Sequence, residues 1–335
     1  MRERRTIWRE DQYQILEASN HEIIVGRVKG ERYHVYSRDL NGRRRRHLAN
    51  VSLESDWYWS PSKMALIKEP VSSEKILRKE HVLKGHFING KNFGGLKDLS
   101  SVVRSLELKT SSGAKAVLLQ PEETERWFIS LHGGPESREG FELRYGGLYR
   151  ELVQRKTAVL ILNYRGSLGA AMSVRKNAWG RWGESICEDY SALLKMPELR
   201  ELSPENATFF GVSFGGALAL VLQKKFKASR VILSSPLLDL DRQMKRAGPR
   251  FEKWFRTRFS HRDFLELSFG SLTATSGNIA CLLGAKDEVL GRSDIQVLKR
   301  CAPDWAIIEQ DRGHAPNSYR ELSEWSSAVR SFVLA

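Results

Sequence analysis

Two rhythms of apolar and polar positions divide this chain. Up to about residue 105, runs such as "EIIVGRVKG", "RYHVYSRDLNG" and "HLANVSLESDWYWSPSKMALIKE" are short and bounded by polar turns. Such runs predict strands of a small β-rich module. Asn41–Gly42 predicts a two-residue hairpin turn, with Arg43 to Arg46 on its solvated arm. A second hairpin is predicted in "SVVRSLELKTSSGAKAVLLQPEE", turning at Ser111–Ser112–Gly113.

From Arg126 the rhythm changes. "RWFISLHGG", "TAVLILNYRG", "NATFFGVS", "SRVILSSP", "IACLLGAKD" and "WAIIEQDRGH" are near-continuous apolar runs. Helical stretches separate most of them: "LYRELVQRK", "WGESICEDYSALLKM", "FGGALALVLQKKF", "DIQVLKRC" and "ELSEWSSAVRSFVL". Apolar strands alternating with helices predict a mostly parallel sheet with helices on both faces. No fixed-period repeat and no low-complexity tract interrupts the pattern.

Composition narrows the picture further. The chain has 335 residues, 41% of them hydrophobic, enough for one large domain and an extra segment. The formal net charge of +14 favours acidic partners. It is dispersed, however, and no nucleic-acid motif accompanies it, so a nucleic-acid partner is not expected. Cys187, Cys281 and Cys301 form no CxxC pair and no metal cluster, which predicts reduced thiols in a cytoplasmic protein. The charged start "MRERRTIWREDQYQILEAS" has no signal-peptide stretch, and no window predicts a membrane span. No metal or cofactor is called for.

The chemistry begins at "GVSFG", Gly211 to Gly215, which matches G-x-S-x-G between an apolar strand and an Ala/Leu-rich helix. Glycines on either side let strand and helix pass closely at a sharp turn. The helix N-terminus then offers its dipole and N–H groups to a developing oxyanion. Such a serine needs a base, and the base needs an orienting acid. Asp287 lies just beyond one apolar strand and His314 just after the last, in the chain order Ser, Asp, His. Glu288 and Asp311 are rival acids, but Asp287 is better placed at the strand end. "ISLHGGP", Ile129 to Pro135, stands where a second oxyanion donor is carried. The donors expected are the N–H groups of Phe214 and Gly134, with Gly133 the near rival.

From about Leu106 onward the chain resembles the catalytic domain of the prolyl oligopeptidase family of serine peptidases. "LHGGP", "NYRGSLGAAMSVRKNAWGRWGESICEDY", "GVSFGG" and the late "GAKD…RGH" carry the resemblance. The second stretch is the most specific, matching N-x-R-G-S/G, then W-G, then an acidic pair: Asn163, Arg165, Gly166, Trp182, Gly183, Glu188 and Asp189. The resemblance implies an α/β-hydrolase fold and a Ser213–Asp287–His314 triad acting on peptides or acylated peptides. It divides the chain into a β-rich module at 1–105 and a catalytic domain at 106–335. A basic, aromatic insertion at about 238–272 caps the pocket.

The N-terminal segment is too short for the large β-propeller such peptidases carry, and it looks like a remnant of one. Its loss leaves the site mouth open, or covered by a partner or a second copy of the chain. Trp254, Phe255, Phe259 and Phe264 line a pocket or simply pack the cap. Arg165 pairs with Glu188 or Asp189, or binds substrate. The cap cations Lys245, Arg246, Arg250, Lys253, Arg256 and Arg258, with the Arg43–Arg46 run, suggest an acidic substrate. Two rivals to a peptidase stand: an esterase, thioesterase or acyl-transferring enzyme on the same fold, and an inactive interaction protein.

Overall fold

The computed structural model describes residues 14–18, 22–29, 32–39, 45–52, 56–60, 65–69, 103–139, 148–316 and 319–335. The chain forms two units, Met1–Ser72 with Leu168–Met172, and Ser73–Ser167 with Ser173–Ala335.

In the first unit, β1 (Gln14–Ala18), β2 (Glu22–Lys29), β3 (Arg32–Asp39) and β4 (Arg45–Ser52) form an antiparallel sheet in sequence order. β5 (Asp56–Ser60) pairs antiparallel with β6 (Ala65–Glu69). The β-rich character read from short runs bounded by polar turns is therefore observed. The predicted turn at Asn41–Gly42, with Arg43 and Arg44, lies outside the described residues.

The second unit holds an eight-stranded sheet in the order β14-β13-β12-β11-β9-β10-β8-β7. Its strands are β7 (Val103–Lys109), β8 (Lys115–Pro121), β9 (Arg126–Leu131), β10 (Thr157–Asn163), β11 (Ala207–Val212), β12 (Arg230–Ser234), β13 (Ile279–Gly284) and β14 (Ala306–Gln310). β7 and β8 form the predicted hairpin through Ser111–Gly113, and β9 to β14 run parallel. β7 starts before residue 106, so the sheet takes in the last residues assigned to the N-terminal module.

The helices are α1 (Leu148–Val153), α2 (Met172–Lys176), α3 (Trp182–Leu193), α4 (Phe214–Phe226), α5 (Leu240–Ala247), α6 (Pro249–Arg258), α7 (His261–Glu266), α8 (Phe269–Thr273), α9 (Arg292–Cys301) and α10 (Tyr319–Leu334). The sheet's period of two splits its side chains between two cores. Trp127, Ile129 and Leu131 of β9 face α3, α4 and the cap helices, while Phe128 faces α1 and α10 through Leu148, Leu152, Trp325 and Val329. Both faces are buried, which is why these strands read as unbroken apolar runs. The fold is the expected α/β-hydrolase architecture.

The cap insertion is the helical run α5 to α8. Buried Asp263 ties it to the sheet domain by accepting the Trp182 N–H at 2.9 Å, at the first turn of α3. Trp182 Nε1 donates in turn to the Arg258 carbonyl at 2.8 Å.

Candidate active site

Ser213 sits between β11 and α4 with φ +52°, a left-handed conformation rare for a side chain larger than glycine. Hydrogen bonds hold it there: its N–H donates to the Ser234 carbonyl at 3.0 Å, and its carbonyl accepts from Leu237 N–H at 2.7 Å. A Cβ on Gly211 would collide with the Gly215 carbonyl, and one on Gly215 with the carbonyls of Leu131 and His132. The two glycines of G-x-S-x-G are thus required by close approach of strand, helix and the "LHGGP" turn.

Asp287 follows β13 and His314 follows β14. His314 Nδ1 lies 2.9 Å and 3.1 Å from the two carboxylate oxygens of Asp287. An ionised carboxylate only accepts, so Nδ1 carries the proton and Nε2 is left as the basic nitrogen. The N–H groups of Val289 and Leu290 also donate to Asp287, each at 2.9 Å. Burial pushes the Asp287 carboxyl up, but hydrogen bonds from His314, Leu290 and Ser235 outweigh it and hold the group below the usual carboxylate range. Of the rival acids, Asp311 is exposed and pairs with Lys286, and Glu288 is exposed.

A cleft of about 180 Å³ gathers Ser213, His314, Phe214 and Gly134 on its lining. Phe214 is the first residue of α4, so its N–H has no carbonyl one turn earlier to bond. Gly134 turns with φ +70°, whereas Gly133 is absent from the lining. Buried Trp182 packs edge-on against Phe214, ring centroids 5.4 Å apart, and so braces it. His132 is fully buried; Nε2 lies 2.7 Å from Ser167 Oγ and Nδ1 3.0 Å from the Gly133 carbonyl. It shapes the turn and does not reach the cleft.

The rest of the lining is mainly apolar. Trp254, Phe255 and Phe259 of the cap face Pro135, Pro236, Leu237, Val289 and Leu290. Gln243 and Ser235 are its further polar members. Phe264 is not part of the lining; it packs on Phe259 at 6.5 Å. Arg165 does not line the cleft either. It donates from Nε to Asp189 at 2.7 Å and from a terminal nitrogen to Glu188 at 2.5 Å. Of the cap cations named from the sequence, Lys245, Arg246, Lys253, Arg256 and Arg258 do not line the cleft. Lys245, Arg246, Arg256 and Arg258 are paired with Asp241, Asp294, Glu252 and Glu136.

Two features escaped the sequence reading. Glu136, next to Pro135, accepts from Arg175 at 2.9 Å and Arg258 at 2.7 Å, and Arg258 lies between the rings of Trp179 and Trp254. Ser235 and Arg312 lie buried behind Asp287 and His314. Their signals, a serine at a strand end before proline and an arginine before Gly-His, are too common to single out. Among the described residues there is no group of three or more His, Cys, Asp or Glu able to hold a metal ion.

The prolyl oligopeptidase family's model matches residues 149–269. No curated protein sequence matches the chain. A puromycin-hydrolyzing peptidase of Mycobacterium tuberculosis superposes with a TM-score of 0.64 at 14% identity, over 96% of this chain and 62% of its own. An acylaminoacyl peptidase of Pyrococcus horikoshii gives 0.63 at 12% identity, over 98% and 56%. An esterase of Pyrococcus furiosus gives 0.50 at 20% identity, over 70% of this chain and 91% of its own. The chain thus spans less than two thirds of the length of the two peptidases, and identities this low speak for the fold alone. Residues 149–269 carry the pattern of the prolyl oligopeptidase family, set in a chain with the α/β-hydrolase fold of those peptidases.

Proposed function

We propose that this chain is a serine hydrolase that works through an acyl-enzyme, and that it acts as a peptidase on short or modified peptides. Ser213 Oγ attacks the carbonyl while His314 Nε2 takes its proton, and Asp287 holds the imidazole in the required tautomer. The N–H groups of Phe214 and Gly134 receive the oxyanion. His314 then protonates the leaving group, and water releases the acyl chain by the same steps in reverse. The observation that carries this reading is the hydrogen-bonded His314–Asp287 pair and a strained Ser213, with Ser213 and His314 lining one cleft.

The lining supports a neutral, apolar group at the reacting carbonyl, because the described residues around it include neither a cation nor a carboxylate. It lends no support to an acidic substrate. A second reading, an esterase, is favoured by one observation: the fold of a free-standing esterase is spanned almost completely by part of this chain. The proposal includes a division into an N-terminal β-rich module and a hydrolase domain, placed just before β7 rather than at 105/106, and a cytoplasmic location, which three free thiols fit. Among the described residues no helix is long and apolar enough to cross a membrane. The test is a matched panel of N-blocked peptides, free-amine peptides and esters, each with an apolar or an acidic residue at the scissile carbonyl. The highest kcat/KM is expected on N-blocked apolar peptides. Turnover of esters alone would move the assignment to the second reading, and preference for acidic groups would refute the pocket argument.

A further inference from the structure

We infer that Ser235 and Arg312 are positioning residues that hold Asp287 and His314 in their working arrangement, an inference that rests on the serine-hydrolase reading above. Ser235 is fully buried and has φ +42°, a conformation that persists in a non-glycine residue only where its surroundings fix it. Its N–H donates to the Leu282 carbonyl at 2.9 Å, on the strand that leads to Asp287. Its hydroxyl accepts from the Arg312 guanidinium at 3.3 Å, and it helps hold the Asp287 carboxyl below its usual range.

Arg312 is 1% exposed and makes no ion pair within 4.0 Å among the described residues. It spends its donors on oxygens. Nε reaches Gln310 Oε1 at 3.0 Å, and the terminal nitrogens reach the carbonyls of Gly313, His314 and Leu282 at 3.0, 3.1 and 3.2 Å. It therefore clamps the turn bearing His314 to the strand bearing Asp287. A buried cation without a contacting anion costs several kcal/mol, so its charge needs a use. The charged and titratable groups around it are Asp287, Cys281 on β13 and Glu321 on α10; burial pushes the guanidinium down and these pull it up. Its positive charge opposes a second positive charge on the His314 ring, and the Ser235 hydroxyl draws charge from Asp287. Both act on the charge of the His314–Asp287 pair.

The test is the rate of fluorophosphonate labelling against pH for the full chain and for Arg312→Met, Arg312→Lys, Ser235→Ala and Ser235→Gly. Loss of a buried cation beside the pair should move the acidic limb of the profile to higher pH in Arg312→Met. It should move the same way in both Ser235 variants, and stay near wild type in Arg312→Lys, which keeps the charge. Ser235→Gly relieves the backbone strain, so a merely structural serine would leave the limb in place in that variant. An unmoved acidic limb in Ser235→Gly and Ser235→Ala overturns the inference, even if Arg312→Met fails to fold. A wild-type chain that takes no label at any pH overturns the serine-hydrolase reading and this inference with it.

Discussion

Replacing Arg165 with methionine should damage stability far more than substrate binding. The side chain is 6% exposed and its partner Asp189 is 0% exposed. Asp189 receives the Arg165 backbone N–H at 2.8 Å, Arg165 Nε at 2.7 Å and Ser112 Oγ at 2.8 Å. The arginine also donates to the Ser185 carbonyl at 3.1 Å. Methionine keeps the apolar stem but leaves the carboxylate buried without its cation, a change worth about 3–5 kcal/mol. Glu188 is 44% exposed and half solvated, so it adds little. Burial already pushes the Asp189 carboxyl up against the pull of Arg165 and Ser112. Without Arg165 it rises further. A carboxyl raised in the folded state binds more protons there than when unfolded, so its contribution falls as pH rises. The deficit of Arg165→Met should therefore be larger at pH 8 than at pH 5. Urea denaturation at the two pH values measures this, with Arg165→Met/Asp189→Leu expected to recover about 2 kcal/mol or more of the loss. KM on any turned-over substrate should stay within about two-fold, because Arg165 does not line the cleft. A loss under about 1 kcal/mol with no pH dependence, or a stable variant with a raised KM, would falsify the structural role.

Trp254→Ala should lower kcat/KM for bulky apolar acyl groups by roughly ten-fold or more while sparing small ones, measured on a series of esters of rising acyl size. Glu136→Gln leaves Arg175 and Arg258 without their shared anion and should cost about 2 kcal/mol in thermal or urea unfolding, between the values for exposed and buried pairs. Asp287→Asn should keep the fold but lower kcat by about 10⁴-fold through the wrong tautomer, with an unaltered near-ultraviolet dichroism spectrum as the control. Since Asp287 titrates below its ordinary value when folded, its contribution to stability should persist above about pH 4 and be lost on further acidification. In the native protein a thiol reagent should modify exposed Cys301 and leave buried Cys187 and Cys281, whose thiols burial pushes up, until the chain is unfolded.

The sheet was legible in the sequence because both its faces are covered. "TAVLILN" and "IACLLG" are unbroken apolar runs, and they became β10 and β13, buried almost throughout. The Ser213 turn was legible because glycine is the one residue that fits where backbones nearly touch, as at Gly211 and Gly215. Asp287 and His314 could be picked out by chain order and strand ends. The charge argument for the cap failed to carry to the cleft, because composition gives the number of cations and not their partners. Arg258 illustrates this: it counts as a free charge in sequence, yet it bonds Glu136, a residue 122 positions away, between two tryptophan rings. Ser235 and Arg312 were invisible for a related reason. Their roles come from buried hydrogen bonds across 77 positions, and neither residue type announces burial.

The central claim is that Ser213 is the nucleophile activated by His314 and Asp287, and peptide mapping of the fluorophosphonate-labelled chain tests it most directly. One phosphonyl group on the peptide that contains Ser213, lost in Ser213→Ala and slowed at least about 10³-fold in His314→Ala, is the predicted result. Label on another residue, or undiminished labelling of the folded Ser213→Ala chain, would contradict it.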